Sequence, residues 1–115
     1  MEGFNQPQDI ELDNSGNIYV ADTQNHRIQI YDDQKNLIDT IGNGSASSEP
    51  GELNMPWGID IDSDGLIYVA DYFNDRIQVF TGSGDYSYSI CDGIWKPKRV
   101  KVHKNKFMSV IVIIT

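Results

Sequence analysis

The residues best spaced for chemistry are acidic. Asp60, Asp62 and Asp64 alternate ahead of Gly65, and Asp71 falls at the twelfth position of the same stretch. Hard oxygen ligands surround calcium with that spacing in an EF-hand loop. An earlier stretch repeats the pattern more weakly as Glu11, Asp13, Ser15, Gly16 and Asp22. A calcium loop needs helical flanks and a bidentate Glu at its twelfth position, whereas here the flanks alternate like strands and the last residue is Asp. The favoured reading is structural: Asp60 and Asp62 on the solvated face of a strand, Asp64 and Gly65 in its turn, with no metal or other cofactor.

A second set recurs at fixed spacing, Asp22, Asn25 and Arg27 and then Asp71, Asn74 and Arg76. A catalytic site would differ between copies, so this set reads as a turn held by Asx hydrogen bonds and an Asp to Arg contact. The two histidines, His26 and His103, lie at dissimilar positions and are too few to furnish a catalytic metal site, which takes three or more ligands. No serine or cysteine sits in a nucleophile elbow, and no glycine-rich loop opens a helix. The expectation is a protein that is not an enzyme.

These residues belong to a long internal repeat. Pro7 to Asp22 (PQDIELDNSGNIYVAD) recurs as Pro56 to Asp71 (PWGIDIDSDGLIYVAD), an offset of 49 residues. The match continues from Asn25 to Tyr31 against Asn74 to Phe80, and Phe4-Asn5-Gln6 precedes the first copy as Leu53-Asn54-Met55 precedes the second. Self-similarity at such a period is the signature of repeat architectures. Ile59 and Ile61 alternate with Asp60 and Asp62, then Ile67 and Val69 with Leu66, Tyr68 and Ala70, a period of two that marks strands. Asp13-Asn14-Ser15-Gly16 and Asp62-Ser63-Asp64-Gly65 supply hairpin turns. Third strands are expected over Arg27–Tyr31 and Arg76–Phe80, and fourth strands around Leu37–Ile41 and Tyr86–Ile90. Four short antiparallel strands per unit make a propeller blade.

The stretch Ile18 to Tyr31 (IYVADTQNHRIQIY), with Asn25-His26-Arg27 answered by Asn74-Asp75-Arg76, resembles the NHL repeat. The resemblance covers residues 4 to 92 and implies an all-β fold, a partial β-propeller of four-stranded antiparallel blades cut from a six-bladed ring. It also implies a surface that binds proteins, or RNA, and in a minority of relatives metal-assisted lyase or lactonase chemistry. The expected units are 1–55 as a first blade with its inter-blade loop 42–55, 56–96 as a second, and 97–115 as a degenerate, truncated third. In that third unit Gly93 to Pro97 resembles the lead-in, Val100 and Val102 stand for Ile59 and Ile61, and Ser109 to Val112 is set against Tyr68 to Asp71. Two blades and a part cannot close a ring, so their outer faces invite self-association or cover by the rest of a longer chain.

Charge narrows the partners. All 17 acidic residues lie in the first 92, against three of the nine Lys and Arg, and the remaining six fall between Lys96 and Lys106. The acidic body repels phosphate backbones. The basic tail, flanked by Trp95 and Phe107, could touch RNA, although Arg99, Lys101 and His103 alternate with Val100 and Val102 as the solvent face of a strand would. The longest apolar run, Val110 to Ile114, is far short of a membrane span. The first six residues, Met1 to Gln6, lack the order of a signal peptide, which favours the cytoplasm. Cys91 is alone and reads as a half-buried strand residue. Gly42 to Gly51 reads as a flexible loop.

The functional hint lies elsewhere. Trp57, Tyr72 and Phe73 replace Gln8, Thr23 and Gln24 of the first copy. Exposed aromatics anchor protein partners, though such bulk also suits packing between blades. These three with His26 and Asp75 are the expected partner face, on loops of a rigid scaffold. The expected function is a protein-protein interaction scaffold, such as the substrate-recruiting part of a tripartite-motif ubiquitin ligase. The alternatives are a piece of a metal-dependent propeller enzyme and an RNA-binding propeller.

Overall fold

The structure is a computed structural model that describes residues 3–115; Met1 and Glu2, where the leader reading and the 1–55 unit begin, lie outside the described residues. Strands β1 (Asp9–Leu12), β2 (Ile18–Asp22), β3 (Arg27–Tyr31) and β4 (Leu37–Ile41) form one antiparallel sheet in chain order. Strands β5 (Pro56–Ile61), β6 (Ile67–Asp71), β7 (Arg76–Phe80) and β8 (Tyr86–Ile90) form a second sheet of the same order. Strands β9 (Arg99–Lys104) and β10 (Ser109–Ile114) pair alone. The expected all-β blades are therefore present, and among the described residues the helical content is two short 3₁₀ turns, Thr23–Asn25 and Tyr72–Asn74.

The sheets stack face to face. Tyr19, Ala21, Ile28, Ile30 and Ile41 of the first sheet share a core with Leu53 and with Ile59, Ile67, Val69 and Phe80 of the second. The opposite face of the second sheet, Tyr68, Ala70, Ile77 and Val79, packs on Val100, Val102, Ile111 and Ile113. Because β6 meets apolar neighbours on both sides, all five of its residues are buried. Each sheet thus buries its faces only against its neighbours, as in repeat proteins generally.

The first hairpin of each blade is closed by an aspartate. Asp13 accepts the Ser15 and Asn17 backbone N–H groups at 2.9 and 3.0 Å and the Tyr19 hydroxyl at 2.9 Å. Asp62 does the same with Asp64 N–H, Leu66 N–H and the Tyr68 hydroxyl, at 2.9, 3.0 and 2.9 Å. Gly16 and Gly65 complete these turns at φ of 85° and 84°, a conformation that favours glycine. Asp62 is 6% exposed, not on a solvated face, because the tyrosine hydroxyl replaces water on its outer oxygen.

Three other expectations change. In the third hairpin Val100 pairs with Ile113 and Val102 with Ile111, where Ile59 pairs with Val69 and Ile61 with Ile67. Val112, rather than Ser109, therefore occupies the place of Tyr68. The hairpin is longer because it lacks the Asp-x-x-Gly turn and closes at Asn105, whose side chain accepts the Phe107 and Met108 N–H groups at 2.8 and 3.1 Å. Cys91 is exposed, because β8 ends at Ile90 and the chain turns away. The Gly42–Gly51 stretch is clasped rather than loose: Asn74 Nδ2 donates to Ser47 O at 2.8 Å, and Arg76 donates to the carbonyls of Ser48, Glu49 and Glu52 at 3.0 to 3.1 Å.

The two tyrosine–aspartate pairs have a pH signature. Burial first, and then the hydrogen bond to Asp13, raise the Tyr19 phenol to about 12, and the same causes raise Tyr68. A raised folded pKa means that the stabilisation is complete below the unfolded value of about 10 and is lost as pH rises toward the folded value. Tyrosinate absorbance of the native protein should show two phenols ionising well after those of the denatured chain. In Asp62→Ala one of the two should ionise earlier; two late phenols in that variant would contradict the assignment.

Candidate functional site

The conspicuous polar construction of each blade lies where its second strand turns into its third. Asp22 and Asp71 end β2 and β6 and are fully buried. Asp71 accepts Asn54 N–H at 2.8 Å, Asn74 Nδ2 at 2.9 Å, Arg76 Nε at 2.8 Å and Gln78 Nε2 at 3.1 Å. Asp22 accepts Asn5 N–H at 2.7 Å, Asn25 Nδ2 at 3.0 Å and Arg27 Nε at 2.7 Å. One carboxylate therefore ties together the lead-in, the 3₁₀ turn and the third strand. A buried charge is tolerable when it is paired and saturated with donors in this way.

The turn leaves through a left-handed residue, His26 at φ 53° and Asp75 at φ 52°. Both side chains reach the next unit: Met55 N–H donates to His26 Nδ1 at 3.0 Å, and Lys96 N–H donates to Asp75 Oδ1 at 2.9 Å. Met55 and Lys96, like Gln6, precede prolines and have φ of 58°, 47° and 50°. A following proline and a side chain both disfavour that geometry, at about 1–3 kcal/mol per residue. Its recurrence in all three units makes it a feature of the repeat. Two residues expected on the partner face, His26 and Asp75, are thus used to join blades.

The other three residues of that expected face come together. The Trp57 and Tyr72 ring centroids lie 5.0 Å apart and those of Tyr72 and Phe73 lie 4.9 Å apart, edge to face. Residues before β9 extend the cluster: Lys96 Nζ lies 4.7 Å from the Phe73 and Trp95 ring centroids and 5.6 Å from that of Tyr72. Lys98 Nζ lies 5.4 Å from the Trp57 centroid. These are cation–π distances. Phe73 is 47% exposed and Trp95 is 67% exposed, so the cluster presents rings to solvent. The membership of Trp95, Lys96 and Lys98 was signalled by the Gly93–Pro97 lead-in, since a lead-in docks on the preceding blade.

The inner strands carry a second set of charges. Asp9 Oδ2 accepts Ile59 N–H at 2.9 Å, and Asp60 Oδ2 accepts Val102 N–H at 2.7 Å. Lys101 Nζ lies 3.8 Å from Glu11 Oε1. Burial first, and then Asp9, raise the Glu11 carboxyl against the pull of Lys101. Gly58 has no side chain because a Cβ there would fall 2.4 Å from Lys98 O. The four carboxylates of the calcium-like spacing serve separate partners: Asp60 holds Val102, Asp62 its turn and Tyr68, Asp64 the Lys104 ammonium, and Asp71 the rim. No three His, Cys, Asp or Glu side chains among the described residues are grouped to hold a metal ion.

Stacked four-stranded sheets with their first strands side by side define a partial β-propeller, presenting an aromatic rim at one end. A family model for the NHL repeat matches residues 4–31 and 53–80, one match at each sheet, and the chain carries two NHL repeats. Among solved structures, a streptogramin B lyase is similar in fold, with a TM-score of 0.66 at 16% sequence identity over 83% of this chain. The chain spans 30% of that protein's length. No curated protein matches it.

Removing a buried carboxylate leaves its arginine and amide donors without a partner. Asp71→Ala should lower the unfolding free energy by about 3 kcal/mol, in the range for breaking a buried pair. Asp22→Ala should cost less, because Asp22 receives three donors where Asp71 receives four and Arg27 is the more exposed arginine. Urea unfolding of the two variants checks the order, and equal or inverted losses would contradict it.

Proposed function

We propose that this chain binds a partner protein through the aromatic rim of its second blade, and that it acts as a scaffold rather than as an enzyme. The observation that carries the reading is the convergence of Trp57, Tyr72, Phe73, Trp95, Lys96 and Lys98 from three separate segments into one cluster with exposed rings. The fold does not require it. In the first blade Thr23 and Gln24 make the same turn with polar side chains, and Gln8 stands where Trp57 does. Rigid aromatic anchors are among the groups that dominate protein interfaces.

A substrate-recruiting position in a larger protein, such as a ubiquitin ligase, is one in which this rim would serve. The RNA reading has less support, because the tail cations are divided: Lys101 lies near Glu11, Lys104 binds Asp64, and Lys96 lies 3.8 Å from Asp75. The catalytic reading rests on likeness of fold, and His26 Nδ1 is already occupied by Met55. No helix among the described residues is long and apolar enough to cross a membrane.

Partners captured on the folded chain by cross-linking should depend on the rim. Phe73→Ala and Trp95→Ala should each weaken the recovered interaction by about 2 kcal/mol, roughly thirty-fold, with the circular dichroism spectrum unchanged. Phe107→Ala, at an exposed hairpin tip distant in sequence from the cluster, should leave it intact. Equal retention by the rim variants would refute the assignment.

A further inference from the structure

The chain makes one interface twice and retains both halves of it unfilled. Between the first and second sheets, Ile59 and Ile61 of β5 pack on the face of Tyr19 and Ala21. Between the second and third, Val100 and Val102 of β9 pack on the face of Tyr68 and Ala70. Each sheet thus has a leading face, set by its first strand, and a trailing face that receives the next sheet.

On the leading face of the first sheet, Ile10 and Leu12 occupy the positions of Ile59 and Ile61. Ile59 is 1% exposed, whereas Ile10 and Leu12 are 58% and 65% exposed. Beside them Phe4, Pro7, Gln8, Asp9, Ile10 and Val20 line a cavity of about 410 Å³. On the trailing face of the third sheet, the pairing register puts Val112 and Ile114 in the places of Tyr68 and Ala70. Tyr68 and Ala70 are buried, while Val110, Val112 and Ile114 are exposed. The exchange of Tyr and Ala for Val and Ile keeps that face apolar.

We propose that the β9–β10 face of one copy docks on the β1–β2 face of a second copy of this chain, head to tail. The partner is indicated by continuity with the two interfaces already formed inside the chain. Docking in the same geometry would set Val112 and Ile114 against Ile10 and Leu12 of the next copy, as Tyr68 and Ala70 are set against Val100 and Val102. The contact is heterologous, so it joins two different surfaces and leaves one of each free until a ring closes.

Light scattering coupled to size exclusion tests this, using Leu12→Lys to block one face and Val112→Lys to block the other. The wild-type chain should elute at a discrete multiple of its 13.0 kDa mass. Each variant alone should be monomeric, because every junction in a uniform population then contains a blocked face. An equal mixture should give a dimer, because the intact β9–β10 face of Leu12→Lys can meet the intact β1–β2 face of Val112→Lys. A monomeric wild type would overturn the proposal and leave these faces to further blades of a longer chain. An oligomer that survives either substitution, or a mixture that stays monomeric, would also overturn it. Circular dichroism confirms that the variants are folded; if a lysine disrupts the sheets, Leu12→Ser and Val112→Ser serve instead. Phe73→Ala should keep the wild-type mass, which separates this interface from the rim.

Discussion

A carboxylate buried at the end of the second strand organises the loop end of each blade. Asp71 takes the lead-in through Asn54, the 3₁₀ turn through Asn74, and the third strand through Arg76 and Gln78. Arg76 and Asn74 in turn clasp the inter-blade segment from Ser47 to Glu52. No other group in the blade gathers as many segments, and the aromatic cluster stands on the turn it fixes. Binding surfaces on loops work best when a rigid scaffold positions them.

Joining the blades uses a division of labour between apolar faces and single polar contacts. Burial of the facing Ile, Val, Tyr and Ala side chains supplies the attraction, which is roughly proportional to area and has no preferred register. Register comes from directional bonds at both ends of the interface. His26 and Asp75 hold the left-handed lead-in residues at the rim, while Asp9 and Asp60 hold the inner strands of the next sheet. Of the acids that suggested calcium in the sequence, Asp60 is one of these joints. Asp62 closes its own turn, Asp64 meets Lys104 and Asp71 holds the rim, so their spacing follows from the strand period and the turn rather than from a shared ion.

Strand order and blade type were legible in the sequence because alternation, Asp-Gly turns and a 49-residue repeat agree with one another. The extent of the third hairpin was not, since without an Asp-x-x-Gly turn the alignment had no anchor and slipped by three residues. Trp57, Tyr72 and Phe73 stood out by their difference from Gln8, Thr23 and Gln24. The roles of His26 and Asp75 could not be seen, because a bond to the next blade's backbone depends on a partner far along the chain. The burial of Asp62 was hidden for a similar reason: the Tyr68 hydroxyl reaches it only once the hairpin pairs.

The central claim is that side-chain acceptors hold the rim as firmly as strand pairing holds the sheets. Native-state hydrogen exchange at the Asn54, Met55 and Lys96 amides tests it most directly, because each of these donates to a side chain: Asp71, His26 and Asp75 respectively. If the claim holds, all three exchange slowly and open together with the adjoining strands β6 and β7. Exchange at the rate of a free loop, with the strands still protected, would contradict it and leave the aromatic cluster without a fixed support.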